Sequence, residues 1–209
     1  MKTRFLQFVL AVWATVISEQ SVWSQSTPYY DRLTFRLAAQ EVPGNQQNIN
    51  FLFLPPSTQG PVVTISDLTF TGRYLSRYQI NSGVALFNFD SGFPLSIQFA
   101  NGARAFGADF SSQYQGVASF TATLSLDNGE TFHFTAPTDP NSTFFGFVSS
   151  TPIMNLTFSD GGLLPNTASG HEELIANVFV VTVPEPAGIV LAGFGAALLL
   201  GWRFPKHKS

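Results

Sequence analysis

This chain of 209 residues is poor in charge, with 10 Lys and Arg against 13 Asp and Glu and a net charge of −3. It contains no cysteine, which excludes thiolate metal sites and cysteine nucleophiles. Its 22 Phe and its 44% hydrophobic residues supply a large core, which excludes a disordered chain.

The first 24 residues predict a secretory signal peptide. Lys2 and Arg4 precede an apolar run over residues 5–17, and a polar, Ser-rich stretch follows. A charged start, an apolar middle and small residues at the exit are the three parts of such a signal. Cleavage fits after Ser24 or after Ser26. The alternative is an uncleaved signal anchor, which the shortness of the apolar run disfavours.

Residues 25–183 form the predicted exported body, and they are acidic. All three lysines lie outside these bounds, and the body holds five arginines against eleven acids, a net charge of −6. Such a body has no electrostatic attraction for nucleic acid or for anionic lipid. Positive charge beside both apolar ends predicts a precursor with cytoplasmic termini and the body outside.

The first part of the body predicts strands, because apolar and polar residues alternate along it. In chain order the strands cover residues 31–38, 48–54, 62–66, 68–71, 84–89, 95–99 and 105–110. In segment 48–54 the side chains of Ile49, Phe51 and Phe53 are expected on one face. An Asn101-Gly102 pair predicts a turn between the last two strands.

The second part of the body predicts a hairpin over residues 118–136. Apolar residues alternate with Thr and Ser up to an Asp127-Asn128-Gly129 turn, and Phe132 and Phe134 return on the same face. Further strands cover residues 143–148, 153–159 and 174–183. Ten or eleven short strands without intervening helices predict an all-β fold, and we expect a jelly-roll-like β-sandwich. A barrel is the alternative.

Few residues of the body indicate metal or acid–base chemistry. His133 alternates with two phenylalanines, so we expect it on the solvent face. The His171-Glu172-Glu173 run lacks a second histidine at helical spacing, and we interpret it as a loop. No cofactor and no metal site are predicted. A structural Ca²⁺ is the alternative use of turn residues that carry oxygen donors, namely Asp127, Asn128, Asp139, Asn141 and Asp160.

Five tyrosines are candidate contacts for carbohydrate, because their rings offer apolar faces while their hydroxyls tolerate water. The alternative is that they cover sheet edges or pack beneath loops. They are Tyr29, Tyr30, Tyr74, Tyr78 and Tyr114.

The tail, residues 184–209, has three parts. Pro184, Glu185 and Pro186 come first, an uncharged apolar span over residues 187–202 follows, and basic residues end the chain: Arg203, Lys206 and Lys208. As a helix the span would be about 24 Å long, against a hydrocarbon core of ~30 Å. It predicts one transmembrane helix with its basic end in the cytoplasm.

This tail resembles the PEP-CTERM sorting signal of Gram-negative bacteria. The resemblance implies that an exosortase, a membrane protease-transpeptidase, processes the chain at the sorting motif Pro184, Glu185 and Pro186. It implies an inner-membrane-anchored precursor with its body in the periplasm, which then reaches the cell envelope or the outside. Three segments of the body resemble a block that recurs in many proteins of this group, especially cyanobacterial ones: ARAFGADFSS (103–112), residues 124–160 and IANV (175–178).

The resemblance carries no activity, so catalytic residues are not predicted. The expected function is that of a non-catalytic envelope or matrix protein, with an exosortase and the membrane as partners and exopolysaccharide as a contact of the body. The alternative is a secreted carbohydrate-active hydrolase, which needs two carboxylates across a cleft.

Overall fold

The computed structural model describes residues 25–55, 58–80, 83–89, 94–112, 119–138, 141–159 and 172–184. The predicted signal peptide and transmembrane span lie outside them. The described elements include helix α1 (Arg32–Gln40), a 3₁₀ helix (Phe51–Phe53) and ten strands. These are β1 (Ser26–Tyr29), β2 (Asn45–Ile49), β3 (Thr58–Ile65), β4 (Leu68–Ile80), β5 (Gly83–Phe89), β6 (Leu95–Ser112), β7 (Ser119–Leu126), β8 (Thr131–Pro137), β9 (Thr143–Ser159) and β10 (Glu172–Thr182).

The strands form a sandwich of two layers, because three long strands each serve both. Layer A contains β1, residues 143–149 of β9, residues 103–112 of β6, β10, β5 and residues 75–80 of β4, with β2 beside the end of β10. Layer B contains β8, β7, residues 153–159 of β9, residues 95–99 of β6, residues 68–71 of β4 and β3. The expected all-β sandwich is confirmed, and its jelly-roll connectivity stays a prediction.

Strands β6 and β9 bend from one layer into the other at the same end of the sandwich. The register of this pair shifts between Gln98 and Ala105. Gly102 lies in the bend with φ +75°, and a Cβ there would come within 2.9 Å of the Pro152 side chain. Only glycine combines this backbone angle with so close an approach. We call this the bent end.

At the opposite end, the first half of β6 begins at Leu95 and the second half finishes at Ser112. We call this the open end. Glu173 pairs with Ser112 in layer A, and its carboxylate accepts a hydrogen bond of 3.1 Å from the amide of Leu95 in layer B. The two ends of this 18-residue strand therefore lie beside one residue.

Phenylalanine rings fill the space between the layers. Phe110 of layer A lies 4.7 Å from Phe158 and 5.3 Å from Phe134 of layer B, measured between ring centroids. Phe145 stacks on Phe134 at 4.6 Å with an interplanar angle of 4°. Such ring pairs add roughly 0.5–1.5 kcal/mol each beyond the burial of their area. The core is therefore held by the aromatic content, without disulfides.

The strand predicted over residues 31–38 is wrong, because this segment is helix α1. Asp31 caps the helix by accepting a 2.9 Å hydrogen bond from the amide of Thr34, which lowers the pKa of its carboxyl. Leu33, Phe35 and Leu37 alternate as in a strand. The helix nevertheless buries only Phe35 of these three and leaves Leu33 and Leu37 exposed. Helix α1 also shows that the expectation of a body without helices is wrong.

The strand predicted over residues 48–54 is also wrong. Strand β2 ends at Ile49, and the side chain of Asn50 accepts a 2.9 Å hydrogen bond from the amide of Leu52, which starts the 3₁₀ helix. Phe51 is fully buried, whereas Phe53 is 92% exposed. A 3₁₀ turn separates side chains that a strand would place on one face.

The other predicted strands are confirmed, with two mergers. The hairpin of β7 and β8 has the expected buried face, and its turn contains Gly129 at φ +91°. Segments 95–99 and 105–110 are the two halves of β6, and segments 143–148 and 153–159 are the two halves of β9. Asn101-Gly102 marks a bend inside a strand where a turn between strands was expected. β1 was not predicted.

Helix α1 packs on the outer face of layer A over two glycines. A Cβ on Gly107 would lie 2.7 Å from the ring of Phe35, and one on Gly146 would lie 2.9 Å from it. These strand glycines make the recess that the Phe35 ring fills, and the ring of Phe179 closes it at 5.8 Å. The helix is thereby fixed against the sheet.

The chain enters and leaves the described body at the bent end. Ser26, the first residue of β1, pairs with Ser149, just before the bend of β9. Thr182, the last residue of β10, pairs with Ala103, and the amide of Val183 donates to the carbonyl of Gly102 at 3.0 Å. β1 runs away from the bent end and β10 runs towards it.

Gly107→Ala tests the recess beneath helix α1. We expect a loss of about 1–3 kcal/mol in the free energy of unfolding, since the new methyl group overpacks the Phe35 ring. In the Phe35→Ala background the same substitution should cost less, because of the two rings only that of Phe144, 2.8 Å from the new Cβ, still opposes it. Denaturant unfolding of the two single variants and the double variant measures this coupling. Strictly additive costs would contradict the packing described.

Candidate functional site

The structure divides the predicted carbohydrate-contact tyrosines into two classes. Tyr30 is 61% exposed and Tyr74 is 49% exposed. Tyr29 and Tyr78 are half-buried and pack against the core clusters of layer A. Tyr114 lies outside the described residues. Two of the five therefore present a ring to solvent.

Tyr74 lies at a corner of the open end, where β4 passes from layer B to layer A. Thr71 still pairs with Ser96 in layer B, and Leu75 already pairs with Asn88 in layer A. The guanidinium of Arg73 lies 5.6 Å from the centroid of the Tyr74 ring. The corner thus presents an aromatic ring beside a cation.

A buried polar network holds this corner in place. The amide of Asn88 donates to Glu173 at 2.8 Å, and its carbonyl oxygen accepts from the backbone amide of Arg73 at 3.1 Å. Asn88 is fully buried and Glu173 is 4% exposed. A Cβ on Gly72 would collide with the Asn88 side chain. A buried amide in these bonds fixes the backbone on which Tyr74 sits.

Tyr78 uses its ring for packing. It lies on the outer face of layer A with its ring 5.5 Å from that of Phe87, against a buried cluster that also contains Leu174 and Ala176. Tyr29 similarly makes an edge contact with Phe35 at 6.0 Å. These two residues agree with the alternative that tyrosines cover sheet surfaces.

A charged cluster, Arg32, Asp109 and Asn177, joins helix α1 to layer A. The guanidinium of Arg32 forms an ion pair with Oδ1 of Asp109, and the amide of Asn177 donates to Oδ2 at 2.7 Å. Asp109 is 5% exposed, whereas the Arg32 side chain is 41% exposed. Arg32 also lies over the ring of Phe144, 5.1 Å from its centroid. The buried carboxylate has both oxygens satisfied.

Asn177 adopts an unusual backbone conformation in this cluster. Its φ is +49°, at a β-bulge between Ala176 and Phe179 in β10. Asparagine tolerates this left-handed conformation better than most residues do. The bulge directs the exposed Asn177 side chain to the Asp109 carboxylate of the neighbouring strand.

The cluster could not be assigned from sequence, because its members come from distant segments. Asp109 belongs to FGADF, Phe144 to TFFGFV and Asn177 to IANV, and Ala176 and Phe144 both pair with Asp109. One signal was present in the sequence, because Asp109 and Asn177 each interrupt a strongly apolar run. The exposed Arg32 and Asn177 side chains offer N–H donors, and the amide oxygen of Asn177 offers an acceptor. The ion pair of Arg32 and Asp109 carries no net charge.

Asp127 and His133, described residues that were candidates for calcium or for acid–base chemistry, have hydrogen-bond partners in the fold. Oδ2 of Asp127 accepts from the amides of Met154 and Asn155 at 2.9 and 3.0 Å. His133 is exposed, as expected, and its Nδ1 lies 3.0 Å from the Thr123 hydroxyl. Within the described ranges, no three His, Asp or Glu side chains are grouped for a metal ion. Asp139, Asp160 and His171 lie outside those ranges.

The predicted sorting motif lies at the edge of the described part. Pro184 is exposed and follows β10 by two residues, while Glu185, Pro186, Arg203, Lys206 and Lys208 lie outside it. Among the described residues, no helix is long and apolar enough to cross a bilayer.

No family model and no curated protein matches this chain. Among solved structures, a variant of a family 29 carbohydrate-binding module has a TM-score of 0.38 at 17% identity, with 66% of this chain and 93% of that chain covered. A second variant of that module, in complex with mannohexaose, has a TM-score of 0.39 at 14% identity, with 68% and 94% covered. CsCBM6-3 from Clostridium stercorarium, in complex with cellobiose, has a TM-score of 0.33 at 14% identity, with 66% and 94% covered.

These similarities are low. β-Sandwich architectures recur among proteins without shared function, so the ligands of those modules are not assigned to this chain.

Glu130 makes the stability of the body depend on pH. Burial disfavours its charged form, but hydrogen bonds from the hydroxyl and amide of Ser26 and from the amide of Asn128 outweigh it and lower the pKa below the ordinary 4.5. The resulting stabilisation is present above pH 4.5 and is lost as the pH falls through the lowered pKa.

Glu130→Gln should remove this part of the pH dependence. Denaturant unfolding from neutral to acidic pH should show a loss of stability below pH 4.5 in the parent that is smaller in the variant. Identical pH profiles for the two proteins would contradict the bond between Ser26 and Glu130.

Proposed function

We propose that this chain is an exported cell-envelope or extracellular-matrix protein that an exosortase sorts through its PEP-CTERM tail. Its body is a non-catalytic, jelly-roll-like β-sandwich that contacts exopolysaccharide. The proposal combines the signals at the two ends of the sequence with the geometry of the body between them.

The observation that carries the proposal is the position of the two chain ends. Ser26 and Thr182 both lie at the bent end, on strands that run in opposite directions. Segments that precede β1 and follow β10 therefore leave the body on one side. A precursor with an apolar segment at each end can direct both to one bilayer without unfolding any described strand.

The tether on the C-terminal side is short. Thr182 is fully buried within the sheet, and four residues, hence five peptide units, lie between it and residue 187, where the apolar span begins. Five peptide units reach at most about 18 Å. While the span is in the membrane, the bent end is therefore held close to it, and Pro184-Glu185-Pro186 lies within this gap.

The acids of the body support a non-catalytic role. Each of six carboxylates accepts hydrogen bonds inside the fold, where it caps a helix, orders a turn or joins strands. They are Asp31, Asp67, Asp109, Asp127, Glu130 and Glu173. Groups fixed in this way serve the fold, whereas a glycosidase needs two carboxyls directed at one bound sugar.

Mass spectrometry of the mature protein tests the proposal. In a host that contains an exosortase, we expect the chain to have lost residues 1–24, which keeps Ser26 in β1, and the apolar span 187–202. In the same host without the enzyme, the C-terminus should remain Ser209. Retention of Ser209 in both strains would refute exosortase processing, and an intact Met1 in the exported protein would refute the signal peptide.

A further inference from the structure

We infer that the open end of the sandwich is the surface that meets polysaccharide, and that its ligand is a neutral polymer. This inference rests on the proposed function. It assigns the contact to one surface, and it restricts the chemistry of the ligand.

The first step is the orientation of the body. The bent end carries both ends of the described body, Ser26 and Thr182, so before processing the tail holds it towards the membrane. Strand β9 runs from Thr143 at the open end to Ser149 at the bent end, a separation of about 20 Å at 3.3 Å per residue. The open end is therefore the part of the body that lies farthest from the bilayer and first meets an extracellular matrix.

The second step is the position of the exposed rings. Tyr74 lies at the β4 corner of the open end. Tyr30 follows β1 at the edge of layer A, level with Phe145, two residues along β9 from Thr143, and its ring touches that of Phe145 edge-on at 5.5 Å. Both are about half exposed or more, at 61% and 49%. The two tyrosines that pack, Tyr29 and Tyr78, are not needed for this surface. Exposed, rigid aromatic rings are favourable binding residues because little side-chain entropy is lost on contact.

The third step is the spacing of these rings. β1 and β4 are separated in layer A by β9, β6, β10 and β5, so five steps between strands lie between them. At 4.8 Å a step, the two strands are about 24 Å apart. A surface of this length suits a chain of several sugar units better than a single monosaccharide.

The fourth step is the polar chemistry near the open end. Arg32 and Asn177 expose donors and an acceptor around Asp109. Sugar hydroxyls both donate and accept, and so they match such groups.

Charge decides between neutral and acidic polymers. Arg32, the exposed cation of the cluster, is already neutralised by Asp109. The body between the two signals carries a net charge of −6, so an anionic chain would be repelled as it approaches. The surface therefore suits uncharged hexose polymers.

Affinity electrophoresis of the full chain in detergent tests this inference. The gels contain dextran, a β-glucan or a galactomannan, with alginate as the anionic comparator. We expect retardation by at least one neutral polymer and none by alginate. Tyr30→Ala and Tyr74→Ala should each weaken binding roughly two- to twelvefold, the equivalent of one lost aromatic contact.

Two further variants separate the surface from general effects. Met154→Ala removes an exposed apolar side chain beside the bend of β9, away from the open end, and should bind as the parent does. Asn177→Gly keeps the left-handed backbone but removes the amide that bonds Asp109, so it should weaken binding and also lower the thermal stability. Binding is therefore compared at a temperature at which both proteins are folded.

The inference is overturned if alginate retards the chain more than the neutral polymers do, or if no polymer retards it. Equal effects of Met154→Ala and Tyr74→Ala would overturn it as well. These outcomes are distinct from failure of the proposed sorting, which the masses of the mature termini report independently.

Discussion

The bend shared by β6 and β9 is the constraint on which the rest of this structure depends. At Gly102 the absence of a side chain lets one bent strand pass Pro152 of the other, and each strand then continues into the opposite layer. This places phenylalanines of both halves face to face in the core. It also places the start of β1 and the end of β10 at the bent end, since both pair beside the bends.

The two ends of the sandwich consequently differ in role. The bent end is closed by strands that turn there, and it carries the connections to the rest of the chain. The open end is held by side chains, with Asn88 and Glu173 bonded across the corner that bears Tyr74. The exposed ring of Tyr74 is thereby held at the end remote from Ser26 and Thr182.

The sequence predicted those parts of the fold in which local pattern and tertiary structure agree. In the hairpin of β7 and β8, strict alternation and an Asn128-Gly129 turn specify both the pairing and the buried face. In helix α1, the alternation of Leu33, Phe35 and Leu37 conflicted with the capping by Asp31, and the recess over Gly107 decided the outcome. Tertiary packing can override a short-range pattern.

The candidate site was less predictable than the fold. Exposed Tyr30 and Tyr74 were among the five tyrosines considered, but nothing in the sequence distinguishes them from the packed Tyr29 and Tyr78. The ion pair of Arg32 and Asp109 joins residues 77 positions apart.

The chain has no cysteine, so one introduced thiol can report the orientation of the tethered body. Ser150→Cys at the bent end and Ser142→Cys at the open end, about 26 Å apart along β9, would each carry a fluorophore in membrane-bound precursor. With a quencher in the lipid headgroups, the account predicts strong quenching at position 150 and little at position 142, whereas equal or reversed quenching would contradict it.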